Sequence, residues 1–140
     1  MEFHVYENAR AACEAAGVLI AAQITRKGDS VLGLATGSTP IPAYEMLAQW
    51  YDRGVIDFDR VRTFNLDEYR GLTPDHDQSY HYFMHKNFFD AVNIPDERIN
   101  LPDGAQLDAE RECRRYDAAI RAAGGIASLD DAYKFIELGA

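Results

Sequence analysis

The sequence predicts an α/β fold in which helices cover a mostly parallel sheet. Short apolar segments of strand length alternate with longer segments whose apolar residues recur every three to four positions. The order strand, helix, strand, helix, strand, helix is typical of such a fold. A chain of 140 residues with 47% hydrophobic and 26% charged residues can bury a real core, and we find no repeat or linker that would divide it.

Two strands and one helix are predicted at the start of the chain. Apolar and polar residues alternate over Phe3–Tyr6, which predicts a first strand. Apolar residues then recur at helical spacing from Glu7 to about Lys27, and Gly28 and Asp29 end that helix. The apolar run Val31–Ala35 predicts the second strand.

The middle of the chain continues this alternation. A helix is predicted over about Ile41–Asp52, and Gly54 ends it. Arg60–Leu66 predicts a third strand, and Ser79–Ala91 predicts a third amphipathic helix.

A turn-rich segment precedes the last predicted helix. Residues Asn93–Gly104 are rich in Asn, Pro, Asp and Gly and predict a loop. A charged helix follows from about Leu107 to Ala123, where Gly124 and Gly125 end it. Beyond it, Tyr133–Leu138 has the pattern of a strand.

The charge of the chain limits its partners. A formal net charge of -9 argues against nucleic acid and anionic membranes, which need clustered Lys and Arg. A small anionic substrate remains compatible, because a few backbone N–H groups can outweigh the net charge locally. The first residues have no leader pattern, and no apolar run approaches membrane-spanning length, so we expect a cytoplasmic protein. Cys13 and Cys113 are expected to be free thiols.

The loop in LGLATGSTP, residues 32–40, is the first candidate site. Gly33 and Gly37 let the backbone turn tightly and approach a ligand, and Thr36, Ser38 and Thr39 bring hydroxyl groups. Thr39 and Pro40 have the pattern of a helix cap followed by the first helical residue, so exposed N–H groups there could bind a phosphate or carboxylate. A tight turn without a ligand explains the same residues. No Walker A or GxGxxG pattern is present, which disfavours ATP and NAD.

The acidic pair in RTFNLDEYRGL, residues 62–72, is the second candidate site. Asp67 and Glu68 follow a predicted strand, so they should emerge at the same sheet edge as the glycine loop. An acid there could act as a general base, help to bind a metal, or simply face solvent and pair with Arg70. If both loops face one cleft, the catalytic interpretation gains weight.

The histidine pair on the third predicted helix is a weaker signal. His81 and His85 lie four residues apart, but no Glu stands between them as in HExxH and no third ligand is evident, so no metal site is predicted. Aromatic and apolar residues at helical spacing on this helix are predicted to lie in the core; they are Tyr80, Phe83, Met84 and Phe88.

Five motifs in order resemble the glucosamine-6-phosphate deaminase family. They are VLGLATGSTP, TFNLDEYRGL, SYHYFMHKNFFD, INLPDG and AERECRRY, and the resemblance runs from about residue 1 to Ile126. The related 6-phosphogluconolactonases share the fold and a glycine loop, but NLDEY and SYxxFM resemble the deaminase branch.

The resemblance implies a Rossmann-like three-layer sandwich and a set of residue roles. Residues Thr36, Gly37, Ser38 and Thr39 would hold the 6-phosphate of an amino sugar, and Asp67 would move a proton between C2 and C1. The implied enzyme is a deaminating isomerase classed with the hydrolases, which converts glucosamine 6-phosphate to fructose 6-phosphate and ammonia. It implies no metal or other cofactor, no catalytic role for Glu68, and the possibility of a homo-oligomer.

The tail departs from the family pattern. Family members continue after the segment matching Ile126 into a loop reading like GxxGHIGFNEP, which carries the ring-opening His, but residues 127–140 match no catalytic position. Residues 1–140 therefore resemble the N-terminal portion of a sugar-phosphate isomerase/deaminase domain. A deaminase, a sugar-phosphate-binding remnant without turnover, a truncated product without function and a 6-phosphogluconolactonase-like hydrolase remain open.

Overall fold

Three short parallel strands form the centre of the fold. The computed structural model describes residues 3–124. Within them, the strands β1 (Val31–Leu34), β2 (Arg62–Asn65) and β3 (Ile99–Asn100) lie in the order β1-β2-β3. Both pairs are parallel, as predicted.

Four α-helices connect and flank these strands. They are α1 (Ala9–Arg26), α2 (Ile41–Asp52), α3 (Tyr80–Asn87) and α4 (Ala109–Ala122). The predicted bounds of α2 are confirmed, and those of α1 and α4 are confirmed to within two residues. The predicted third helix divides into α3 and a short 3-10 helix over Phe89–Ala91, because the backbone at Phe88 leaves helical geometry with φ -151° and ψ -58°.

The main core lies between one face of the sheet and the first three helices. Alternate strand residues such as Leu32 and Leu34 point to this side. They pack with residues of α1, α2 and α3 and of the loops between them, including Ile24, Tyr44, Leu47, Phe58, Met84 and Phe88. Burial of these side chains provides the main driving force for folding.

Helix α4 covers the opposite face of the sheet. The ring of Tyr116 meets Phe64 edge to face at 5.9 Å between centroids. Its buried hydroxyl donates hydrogen bonds to the carbonyl oxygens of Asn65 at 2.7 Å and Asn100 at 3.0 Å. Helices thus lie on both faces of a parallel sheet, and the predicted three-layer α/β fold is confirmed.

Two strand assignments differ from the sequence prediction. Phe3–Tyr6 is not a strand: it pairs with none of the strands in the described residues, and Phe3 and Val5 are 82% and 95% exposed. An alternating pattern forms a strand only where a neighbouring strand accepts its hydrogen bonds. Conversely, Ile99–Asn100 lies inside the predicted loop but pairs with β2. Two residues form too short a run to show alternation, so the sequence did not predict this strand.

The end of the fourth helix agrees with the sequence. Gly124 adopts φ +70°, the left-handed conformation typical of a glycine just after a helix. The predicted strand over Tyr133–Leu138 lies outside the described residues. None of the helices in residues 3–124 is long and apolar enough to cross a membrane.

Candidate functional site

The loops after β1 and β2 leave the sheet side by side. Leu34 and Asn65 are partners in the parallel register. The buried Asn65 side chain donates from Nδ2 to the carbonyl oxygen of Leu34 at 3.1 Å. A side chain thus closes the strand pair at the point where the two backbones diverge, and the carboxyl edge of the sheet is where α/β proteins bind ligands.

The loop after β1 is anchored through its carbonyl groups. The Tyr44 hydroxyl donates to the Ala35 carbonyl oxygen at 2.6 Å, and the Cys13 thiol donates to that of Thr39 at 3.0 Å. Gly37 adopts φ +98°, a conformation that favours glycine. Among residues 3–124, no partner accepts a hydrogen bond from the backbone N–H groups of residues 36–39. The loop therefore has fixed carbonyls and available N–H donors, as an anion site requires.

The predicted cap of α2 is wrong by one residue. The helix begins at Ile41, so Pro40 rather than Thr39 is the cap residue. The ring of Pro40 restricts φ, and its near-helical conformation lets its carbonyl accept hydrogen bonds from Ala43 and Tyr44. Because Pro40 has no polar side chain, no side-chain hydrogen bond closes this helix end.

Tyr80 contacts Tyr69 of the loop after β2. The hydrogen bond to Tyr69 and burial raise the pKa of the Tyr80 phenol, the negative charge of Asp67 raises it further, and a hydrogen bond with Thr36 acts in the opposite direction. The Tyr80 and Tyr69 hydroxyls are 3.3 Å apart. The Tyr80 hydroxyl therefore lies beside that of Tyr69 in the loop after β2, and the exposed Asp67 stands two residues before Tyr69 in the same loop.

Tyr69 and Tyr80 are site residues that the sequence prediction missed. The aromatic stripe of α3 predicted Tyr80 in the core, but this residue is the first of the helix and lies at the sheet edge. The signal that could have found it is its position directly after Ser79, whose side chain caps the helix by accepting from the Tyr82 N–H at 3.0 Å.

Glu68 is engaged with backbone N–H groups. Its Oε1 accepts from Tyr69 at 2.7 Å and from Tyr80 at 2.9 Å, and its Oε2 accepts from His81 at 2.9 Å. Arg70, the predicted partner of the acidic pair, donates instead to the carbonyl oxygen of Leu107 at 2.9 Å. The two neighbouring acids thus have different surroundings: Asp67 is exposed, and Glu68 holds the start of α3.

The glycine of the INLPDG motif packs behind this acidic loop. Gly71 donates its backbone N–H to the Gly104 carbonyl oxygen at 2.7 Å. A Cβ atom at Gly104 would collide with the Tyr69 carbonyl oxygen and lie 3.0 Å from Cγ of Glu68. Only glycine fits at position 104 without displacing the acidic loop.

The two histidines of α3 face a cavity next to this region. Their ring centroids are 4.5 Å apart, and Nδ1 of His85 lies 2.8 Å from Oδ1 of Asp90. They line a cavity of about 380 Å³ together with Asp96 and Asp103 among others. Burial, and then the charge of His85, lower the pKa of His81. Within residues 3–124, no three His, Cys, Asp or Glu side chains are grouped so that they could hold a metal ion.

The fold defines an α/β protein whose first two strand-to-helix loops leave the sheet side by side. The family model of glucosamine-6-phosphate isomerases/6-phosphogluconolactonase matches residues 6–136. The chain belongs to this family. The match extends past Ile126, where the motif resemblance ends.

Curated relatives of the chain are named as deaminases. A glucosamine-6-phosphate deaminase of Halothermothrix orenii is 52% identical over 126 residues, which cover 90% of this chain and 52% of the relative. Glucosamine-6-phosphate deaminase 2 of Bacillus subtilis is 45% identical over the same length, covering 90% and 51%. The chain spans about half the length of the curated relatives it matches. Both relatives are named for deamination, and neither name refers to hydrolysis.

Solved structures show the same fold. A monomeric glucosamine-6-phosphate deaminase superposes with a TM-score of 0.85 at 35% identity, covering 89% of this chain and 52% of that one. The 6-phosphogluconolactonase of Thermotoga maritima gives a TM-score of 0.68 at 25% identity, covering 86% and 53%. The deaminase is thus the more similar of these two in both backbone and sequence.

Proposed function

We propose that this chain binds glucosamine 6-phosphate and contributes the proton-transfer base for its conversion to fructose 6-phosphate and ammonia. The observation that supports the proposal is that the loops after β1 and β2, which carry residues 36–39 and Asp67, leave the same edge of the sheet, and that the backbone N–H groups of the first loop are available. An anion-binding loop beside a carboxylate suits a substrate with a phosphate at one end and an acidic C–H bond at the other.

The chemistry assigns separate roles to the two loops. The N–H groups and hydroxyls of Thr36, Gly37, Ser38 and Thr39 bind the 6-phosphate. The carboxylate of Asp67 removes the proton from C2 of the open-chain aldehyde, which gives an enolamine, and the proton is delivered to C1. The resulting imine at C2 adds water and releases ammonia, leaving the ketone of fructose 6-phosphate. Proton transfer by a positioned carboxylate contributes about 100-fold to 10,000-fold to the rate.

Ammonia release from glucosamine 6-phosphate by the purified chain tests this proposal. Asp67→Asn keeps the size of the side chain but removes the base, so ammonia release should fall by at least about 100-fold while binding of the sugar phosphate persists. Wild-type ammonia release that survives in Asp67→Asn would contradict the assignment of the base. Binding without ammonia from the wild type would support a sugar-phosphate-binding remnant.

The lactonase alternative has its own readout. The structural similarity to a 6-phosphogluconolactonase favours it as the second candidate. Hydrolysis of 6-phosphogluconolactone without ammonia release from the amino sugar would decide for it.

The location and assembly of the protein are separate parts of the proposal. The substrate is a small metabolite, so neither nucleic acid nor a membrane is required as a partner, and we place the reaction in the cytoplasm. A homo-oligomer is compatible with this function. Light scattering coupled to size exclusion, with and without glucosamine 6-phosphate, measures the assembly state directly.

A further inference from the structure

We propose that Glu68 is a positioning residue, whose carboxylate holds the Tyr80 phenol beside Tyr69 in the loop that carries Asp67. The inference rests on the proposed function for its meaning, but its evidence is the hydrogen bonding of Glu68 itself. Glu68 acts through Tyr80 and does not touch the reacting atoms.

One carboxylate joins the acidic loop to the start of α3. Both N–H groups that it accepts from the helix belong to the first two helical residues, Tyr80 and His81, at 2.9 Å each. These N–H groups have no partner inside a helix, and the helix dipole favours a negative charge there. A side chain twelve residues away in sequence therefore acts as a second cap beside Ser79.

A single carboxylate oxygen holds Tyr69 and Tyr80 next to each other. Oε1 of Glu68 accepts from the backbone N–H groups of both Tyr69 and Tyr80. The two residues are thereby held as neighbours, with ring centroids 4.8 Å apart and hydroxyls at 3.3 Å. Loss of this oxygen releases both backbones at once, and the Tyr80 phenol then loses its fixed distance to the Tyr69 hydroxyl and to the loop that carries Asp67.

The Glu68 side chain is itself held from behind. Cγ of Glu68 lies against the backbone of Gly104, and the Gly71 N–H to Gly104 carbonyl hydrogen bond closes the contact. With both oxygens occupied by N–H donors, the carboxylate is oriented toward the backbone of α3. The two adjacent acids therefore have different roles. Asp67 is available for proton transfer, and Glu68 holds the backbone of α3 in place.

Nuclear magnetic resonance of the full chain with ¹³C-labelled tyrosine rings tests the inference. Glu68→Ala should lower the pKa of Tyr80 toward the ordinary value of about 10, because the phenol leaves Tyr69 and Asp67. Amide hydrogen exchange at Tyr80 and His81 should accelerate at least about tenfold, which corresponds to loss of one net hydrogen bond per group. Glu68→Gln, which keeps one acceptor oxygen, should give a smaller change of the same sign.

Ser79→Ala is the matched control, because it weakens the same helix end through the Tyr82 N–H and leaves the Glu68 bonds in place. Its Tyr80 titration should stay as in the wild type. The inference is overturned if Glu68→Ala leaves the Tyr80 titration unchanged, or if Ser79→Ala shifts it equally. Should Glu68→Ala fail to fold, Glu68→Gln decides by the same two readouts.

Glucosamine 6-phosphate binding, measured on the same samples, separates this inference from the proposed function. A Tyr80 shift in Glu68→Ala together with weaker binding than in Ser79→Ala supports both. A Tyr80 shift with no binding even in the wild type supports the positioning role and contradicts the proposed function.

Discussion

The starts of α2 and α3 lie at the same edge of the sheet, but they differ in what their backbone N–H groups contact. At α2 the cap residue is Pro40, no side chain closes the helix, and the N–H groups of the preceding loop have no partner among the described residues. At α3 the side chains of Ser79 and Glu68 together accept three N–H groups of the first turn. The start of α2 is therefore available to an external anion, whereas the start of α3 already binds the carboxylate of Glu68.

This difference separates a binding site from its scaffold. Free N–H groups at a helix start attract a phosphate, while a carboxylate placed on them from the protein itself satisfies the same donors. An internal carboxylate on α3 therefore directs an external anion to α2. Asp67, next to Glu68 in the loop after β2, is exposed.

The largest effect is expected for Gly37→Val, which should distort the loop before α2 and displace its N–H donors. A β-branched residue at φ +98° is strained by about 1–3 kcal/mol, and relief of that strain moves the N–H donors of the loop. We expect glucosamine 6-phosphate affinity to fall by roughly 100-fold, measured by isothermal titration calorimetry. Gly33→Ala is the control, since Gly33 has no positive φ and a Cβ atom there meets nothing within 4 Å. Equal affinities for Gly37→Val and the wild type would place the anion elsewhere.

Ser38→Asp should place a negative charge at the start of α2, where it occupies the N–H donors. The exposed Ser38 lies in the loop, and a carboxylate there competes with the phosphate for the same donors and repels it. Affinity should fall by about tenfold, a difference of about 1.4 kcal/mol, with Ser38→Asn as the control of equal size. If Asp and Asn have the same effect, shape rather than charge governs binding at this position.

The two helix starts also show what the sequence can predict. Pattern and turn residues predicted α2 and the candidate residues of both loops, because periodicity, glycine and hydroxyl residues act locally. The role of Glu68 depends on hydrogen bonds to residues 80 and 81, and the position of Tyr80 depends on its contact with Tyr69. Contacts across such sequence separations leave no periodic signal, so the acidic pair was ambiguous and Tyr80 was predicted in the core. The roles of Asp67 and residues 36–39 stay predictions.

Thr39→Ala and Ser79→Ala should separate binding from stability. Ser79→Ala removes a helix cap and should lower the free energy of unfolding by about 1 kcal/mol without changing sugar-phosphate affinity. Thr39→Ala removes a hydroxyl of the open loop and should weaken binding a few-fold, while stability in phosphate-free buffer changes by less than about 0.5 kcal/mol. Urea unfolding and calorimetry on both variants provide the measurements. Loss of stability in Thr39→Ala comparable to that in Ser79→Ala would show that the start of α2 is capped after all.

The smallest effect is expected from a change of pH. The free energy of unfolding should depend on the protonation of His81 at the start of α3. Burial, and then the charge of His85, lower the pKa of His81 in the folded state, and a cation at the start of α3 also opposes the helix dipole. As the pH falls below about 6.5, the unfolded chain takes up this proton before the folded chain does, so stability decreases from there toward the lower folded pKa. The carboxylate of Glu112, whose pKa is lowered chiefly by Arg115, loses its contribution only at more acidic pH. The thermal midpoint of the wild type should therefore fall between pH 7.5 and 5.5 more steeply than that of His81→Gln, whose side chain takes up no proton. Equal slopes in the two proteins would show that the interior next to Glu68 accommodates the charged imidazole and that the start of α3 is less closed than its hydrogen bonds indicate.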